Sequence, residues 1–355
     1  MLDLSALSFG SDYVFYLLAF VSAFSVVLIS VPIVRGIAIH CDRVDVPCDR
    51  KVHQTPMVRL GGVAIFVGTI VAAICLWRVG GFSGLLPKDH QEILVMLLGG
   101  SGYFLLGLLD DLYSLSPKFR LLWQFAIATL VWSAGIRIDL ITVPNVGIVH
   151  LGWLSLPITL IWIAGMVNAI NWIDGLDGLA SGVSAISALI TVGICLFLGE
   201  PSVALLAMCL VGSLCGFLVY NFNPACIFMG DGGSYFIGFM LAVISITGLV
   251  KGATAITIPL IVLAVPIFDM TLVIISRLRR RKSPFEADNS HLHHRLLKVG
   301  LPHRLTVLFI YALSLWIGSW AFTLAPIPYG LLAMAVATPI FGLTSWRAWR
   351  VARIS

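Results

Sequence analysis

Continuous apolar runs recur from one end of this chain to the other, and charges are confined to the gaps between them. Each run is close to the ~20 residues a helix needs to cross a bilayer. In hydrocarbon every backbone N–H and C=O must be satisfied within the protein, which leaves only helices and closed barrels. Barrel strands are short and alternating, whereas these runs are long and unbroken. Of 355 residues 59% are hydrophobic and 11% charged, and the mean hydropathy is +1.01. No polar stretch is long enough to fold by itself. The expected class is an all-α polytopic membrane protein, a single integral domain over residues 1–355.

The runs give eleven spans: 13–34, 61–78, 91–109, 120–136, 155–171, 179–198, 202–220, 235–250, 255–276, 304–325 and 330–346. Two of them, 120–136 and 235–250, are short, so ten is the alternative count. The first has no basic leader and no small-residue cleavage site, so it reads as a retained helix. Alternating the spans puts 18 of the 22 Lys and Arg residues on one face and leaves Arg78, Lys88, Arg137 and Lys251 on the other. By the positive-inside rule the rich face is cytoplasmic. The seven cysteines lie in spans or cytoplasmic loops and read as small apolar packing residues in a reducing compartment. Between Arg137 and Trp153, Pro144-Asn145 and Gly147 among β-branched residues predict a small external hairpin.

Four polar clusters sit where spans end, and the charge-based orientation sends all of them to the cytoplasmic face. Charge is costly in lipid, so carboxylates at a membrane rim usually serve a function. Asp110-Asp111 closes the third span. Two adjacent ionised carboxylates repel, and a bound cation or a raised pKa relieves that. A helix C-terminus also disfavours them. Asn168, Asn171, Asp174 and Asp177 recur every third position. The first three make one polar stripe on a helix, which Gly175 and Gly178 can end. Asn221 leads through Phe228 into Gly230-Asp231-Gly232-Gly233-Ser234, a glycine-rich turn suited to a backbone nest for phosphate or a metal ligand. Residues 277–304 hold a basic run and then His291, His293 and His294. The basic run reads as a membrane anchor. The thiols and paired spacings of a zinc site are missing from the histidine stretch. Lys51 and His53 add candidates in a further basic loop, and Asp269 reads as a partner for Arg277 two turns on. Oxyanions beside basic and imidazole groups point to a divalent metal and a phosphorylated substrate, hence an enzyme. A transporter would gather its groups near the midplane on broken helices, in two related halves; no repeat is visible.

From Arg50 to Gly300 the chain resembles the polyprenyl-phosphate N-acetylhexosamine-1-phosphate transferases. The resemblance rests on Arg50-Lys51-Val52-His53, Leu109-Asp110-Asp111, the Asn168–Gly178 string, Phe228–Ser234, Pro266-Ile267-Phe268-Asp269, and Ser283-Pro284-Phe285 through His294. It implies transfer of a sugar 1-phosphate from a UDP-sugar to a membrane lipid phosphate. Ser-Pro-Phe followed by His-x-His-His is similar to the branch that initiates O-antigen, enterobacterial common antigen or wall teichoic acid. That branch uses undecaprenyl phosphate and UDP-N-acetylglucosamine. The peptidoglycan branch, which transfers phospho-N-acetylmuramoyl-pentapeptide, is the runner-up, because Leu292 interrupts the three histidines usual there.

The resemblance also implies roles. Asp231 would ligate Mg²⁺ (Mn²⁺ as substitute), with Asp174 and Asp111 completing the metal set. Asp110 and Asp111 would lie at the acceptor-phosphate end, one of them taking its proton, and Asp177 would help hold the nucleotide. Asn168, Asn171, Asn221 and Phe228 would bind substrate, Phe228 by stacking on uracil. His291, His293 and His294 would meet the diphosphate or sugar, and Lys51, His53, Lys118 and Arg120 would contact phosphates. The implied setting is a bacterial inner membrane with the site facing the cytoplasm. No nucleic-acid partner is expected, and a homodimer stays open.

Overall fold

A computed structural model describes residues 12–41, 57–82, 87–143, 147–250, 256–281, 291–325 and 327–353. It contains thirteen α-helices: α1 (Asp12–His40), α2 (Gly61–Arg78), α3 (Pro87–Tyr113), α4 (Pro117–Ser133), α5 (Ser155–Ile173), α6 (Leu179–Leu198), α7 (Pro201–Asn221), α8 (Gly230–Leu249), α9 (Thr257–Val262), α10 (Ala264–Arg279), α11 (Leu292–Lys298), α12 (His303–Leu324) and α13 (Gly330–Ala352). Nine of these are long and apolar enough to cross a membrane, so the protein is an all-α, multi-pass membrane protein. The difference from eleven has a local cause. Helix α4 has only 17 residues, and the expected 255–276 span is divided at Leu263 into α9 and α10.

The hairpin forms as expected. β1 (Leu140–Val143) and β2 (Gly147–His150) pair antiparallel, with Leu140 opposite His150 and Val143 opposite Gly147. It lies beyond the end of α4 far from Arg120, and Asp139 beside it bonds Arg137 and Ser155.

Helix α8 is the centre of the bundle: 18 of its 20 residues between Gly230 and Leu249 are buried, all but Asp231 and Thr247, and α2, α3, α5 and α6 surround it. Lipid tails are as apolar as leucine, so helices in a bilayer associate through close packing rather than hydrophobic drive, and small residues permit it. Gly62 of α2 lies so close to Gly233 that a methyl group there would overlap the Gly233 backbone. Gly107 of α3 meets the Asp231 backbone in the same way. The N-terminus of α8 is thus held between two neighbouring helices. At the periphery α13 packs mainly on α12, and Leu331 and Leu332 are exposed, as lipid-facing residues are.

Candidate active site

The site begins where α3, α5 and α8 end on the same side of the bundle. At the start of α8 no local residue caps the helix. Instead Asp111, from the end of α3, accepts from Asp231 N at 2.8 Å and Gly232 N at 2.9 Å. A carboxylate on the first free N–H groups of a helix satisfies orphan donors and complements the dipole. Asp110 turns the other way and is 5% exposed. It accepts from Leu115 N (2.8 Å), Arg120 Nη1 (2.5 Å) and Tyr235 Oη (3.2 Å). The paired acids therefore serve different neighbours.

Asp231 projects from the first turn of α8. Asn171 Nδ2 donates to its Oδ1 at 2.6 Å and to Ser234 Oγ at 3.0 Å. Arg120 Nη1 lies 3.8 Å from its Oδ2, so one guanidinium stands between Asp110 and Asp231. Helix α5 stops at Ile173, and Asp174 follows as its C-cap. Burial pushes the Asp174 carboxyl up to about 7; Arg59 opposes this, and the negative charges of Asp111 and Asp177 add to it. Gly178 then adopts φ +76°, a left-handed turn that starts α6. Tyr311 donates from its hydroxyl to the Gly178 carbonyl and pins that turn.

Asp177 and Asn221 fasten this turn to the segment before α8. Asp177 Oδ2 accepts from Asn223 Nδ2 at 2.9 Å and Ala225 N at 3.1 Å. Asn221 is 3% exposed and wholly engaged: Oδ1 accepts from Gly178 N and Ser181 Oγ, and Nδ2 donates to the Ile227 carbonyl. Phe228 is half-buried, with its backbone paired to Val58 and Gly61.

The histidines close the remaining side. His291 Nδ1 lies 2.7 Å from Asp269 Oδ2. Its ring stands edge-on to Trp172 at 6.0 Å and nearly parallel to His293 at 5.6 Å. His293 is 1% exposed and packs against Gly175, and neither ring nitrogen has a hydrogen-bond partner among the described residues. Burial, with His294 and His291 adding to it, lowers the His293 pKa to about 3, so its ring is neutral. Arg277 does not pair with Asp269 as the sequence suggested; its guanidinium stacks over Trp172 at 4.8 Å, and His291 takes the carboxylate.

All four clusters thus meet at one end of the bundle, but three expectations change. Asn168 turns aside from the acids, donating to Gln124 Oε1 and the Ala164 carbonyl at 2.7 Å each. With both ends of its amide engaged, Asn221 shapes the loop rather than offering a free contact. Asp111 gives one bond from each oxygen to α8 and so serves that helix first; Asp231 and Asp174, whose side chains hold no backbone among the described residues, are the foremost metal candidates. Lys118 is exposed at the rim, and Lys51 and His53 lie outside the described residues. Two neighbours went unforeseen. Tyr235 lies one helical turn after Asp231, a spacing that marks a shared face; the charge of Arg59 reaches Asp174 only through tertiary structure.

No three His, Cys, Asp or Glu side chains form a ready-made metal cage among the described residues. The donors still suit a hard dication. Mg²⁺ prefers oxygen, keeps several waters, and is usually held by one or two carboxylates plus substrate phosphates. The accumulated negative charge around Asp174 is what such an ion would neutralise.

The family model described as glycosyl transferase family 4 matches residues 93–249, which run from α3 to the end of α8. A probable undecaprenyl-phosphate N-acetylglucosaminyl 1-phosphate transferase of Bacillus subtilis is 41% identical over 83% of this chain and 81% of its own length. The chain belongs to glycosyl transferase family 4. Two further relatives are similar over most of their length. A decaprenyl-phosphate N-acetylglucosaminephosphotransferase of Mycobacterium leprae is 34% identical over 82% of this chain and 78% of its own length. An undecaprenyl-phosphate alpha-N-acetylglucosaminyl 1-phosphate transferase of Yersinia pestis is 30% identical over 90% and 89%. The family 4 match covers Asp110, Asp111, Asn171, Asp174 and Asp231, and ends before the histidines.

Proposed function

We propose that this protein transfers N-acetylglucosamine 1-phosphate from UDP-N-acetylglucosamine to undecaprenyl or a related polyprenyl phosphate, releasing UMP. The names of its relatives support the sugar phosphate and the acceptor. The observation that carries the reading is the junction of Asp111, Asn171, Asp174 and Asp231, drawn from three separate helix ends into one acidic site. The basic face of the chain is the site's face, since Arg59, Arg120 and Arg277 all lie beside it while Arg137 lies past the far end of α4. That coincidence supports a site facing the cytoplasm, where nucleotide sugars are available.

In this reading an oxygen of the acceptor phosphate attacks the sugar-proximal phosphorus of the donor. The bond from that phosphorus to the bridging oxygen breaks, and UMP departs with the bridge. A phosphate monoester has its second pKa near 6 and is mostly ionised at neutral pH, so no strong base is needed. Asp110, which already accepts three hydrogen bonds, is suited to holding Arg120 and not to taking a proton. Arg120 is then aimed at phosphate from between two carboxylates. Asp231 and Asp174 would hold Mg²⁺, with Asn171 fixing the Asp231 rotamer. Bound there, Mg²⁺ supplies charge neutralisation for the diphosphate and for the departing oxygen. Among the described residues neither ring nitrogen of His293 has a partner, and a substrate oxygen would satisfy one of them. Phe228 offers a half-buried ring for uracil, at the end of the loop that Asp177 and Asn221 hold.

The test is direct. Purified protein given undecaprenyl phosphate and UDP-N-acetylglucosamine labelled in the sugar-proximal phosphate should yield labelled lipid and UMP, and EDTA should abolish both. UDP-N-acetylgalactosamine and UDP-N-acetylmuramoyl-pentapeptide run in parallel decide the sugar. Label entering lipid only from the pentapeptide donor would refute the proposal.

A further inference from the structure

Asp269 is a carboxylate in the middle of α10 that the proposed reaction leaves without a task. It is 6% exposed, and on one side it borders a largely apolar groove lined by Val265, Phe268, Leu272, Leu313 and Ile317, with Arg295 as its one basic residue among those described. A charge in such surroundings is tolerated only when paired. Both oxygens are paired, and both go to one short segment. Oδ2 meets His291 Nδ1 at 2.7 Å, and Oδ1 accepts from Leu292 N at 2.7 Å. His291 is the N-cap of α11 and Leu292 its first residue, so the second bond ties down an orphan donor of that helix.

We propose that Asp269 is a positioning residue, holding His291 with its proton on Nδ1 so that Nε2 is the nitrogen presented to the substrate. The reasoning is stereochemical. A carboxylate can only accept, so the ring nitrogen facing it must carry hydrogen. Nε2 lies across the imidazole from Nδ1 and therefore points away from α10. The bond to Leu292 N fixes the backbone from which the ring hangs, and Trp172 and His293 bound the ring on two further sides. Trp172 adjoins Asn171, which holds Asp231, so the oriented ring and the acid cluster share one wall. An acidic partner that sets a histidine tautomer is a general device, and removing it typically costs about 10- to 100-fold in activity. The role of Nε2 at the substrate rests on the proposed transferase reading; the tautomer does not.

Asp269→Asn keeps the shape and can still accept from Leu292 N, but its amide then donates to Nδ1 and moves the ring proton to Nε2. The expected result is a loss of about 10- to 100-fold in kcat/KM with the melting temperature nearly unchanged. His291→Gln should lose a similar factor in kcat/KM, divided between kcat and KM as it is in Asp269→Asn, and Asp269→Asn added to it should cost less than about threefold more. ¹⁵N-histidine NMR of the wild-type protein without substrate should show the His291 proton on Nδ1, assigned by its absence in His291→Gln. That reading stands even if Asp269→Asn does not fold or the transferase assay fails. Losses that multiply in the double variant, an active Asp269→Asn, or a wild-type ring protonated only at Nε2 would overturn the proposal.

Discussion

Asp111 and Asp231 are neighbours that share a hydrogen bond yet respond to different losses. Asp111 caps α8, so Asp111→Ala leaves two helix N–H groups unsatisfied and should destabilise the fold by about 1–3 kcal/mol, read as a lower melting temperature. Among the described residues the Asp231 side chain bonds Asn171 and no backbone. Asp231→Asn should leave the melting temperature almost unchanged while lowering kcat by about 10³-fold. Asp174 adds a pH dependence whose sign is fixed. Its folded pKa of about 7 lies above the usual carboxylate value, so its ionisation opposes folding as pH climbs from about 4 to 7. A cation binds the ionised form and reverses that penalty by releasing the proton. In thermal-shift titrations the Mg²⁺ concentration for half-maximal stabilisation should fall by at least about tenfold for each pH unit gained up to 7 and level off above it. Asp174→Asn should make that curve shallower. The acids and histidines were legible as residues because charge at the end of an apolar run is conspicuous. What each carboxylate touches was not legible: Asp110 and Asp111 are adjacent in sequence, yet one faces Arg120 and the other α8.

At the scale of elements, the acidic site depends on how tightly α8 is held. Gly62 and Gly107 stand against the Gly233 and Asp231 backbones, where an added methyl would have to displace main chain. Gly107→Ala should cost about 1–3 kcal/mol of stability and, by shifting the first turn of α8, most of the activity. Gly342→Ala on α13, where nothing lies within 4 Å, is the matched control and should change neither. Spans were readable from hydropathy because lipid imposes length and composition on each helix. Their ends were less readable. The break at Leu263 leaves α10 to carry Asp269; Pro266 cannot bond the Val262 carbonyl, which Ser187 Oγ takes instead, yet Pro32 and Pro339 sit inside unbroken helices, so the proline by itself did not announce a break.

Across the whole molecule, segments more than a hundred residues apart meet at one end of the bundle: Asp111 bonds the start of α8, and His293 packs on Gly175. The charge asymmetry of the sequence already assigned those segments to one face, since a bilayer sorts charged loops before any tertiary contact forms. It could not say that they touch. Cys226 is exposed on the site side, so in a version keeping only that cysteine an impermeant maleimide should label inverted vesicles and spare intact cells. The convergence itself is tested most directly by Mn²⁺ binding to the purified protein with UMP, followed by the paramagnetic resonance of the free ion. One site per chain is predicted, weakened at least about tenfold by Asp231→Asn and by Asp174→Asn, and unaffected by Asp139→Asn at the far end of the bundle. Equal binding in all four proteins would contradict the account.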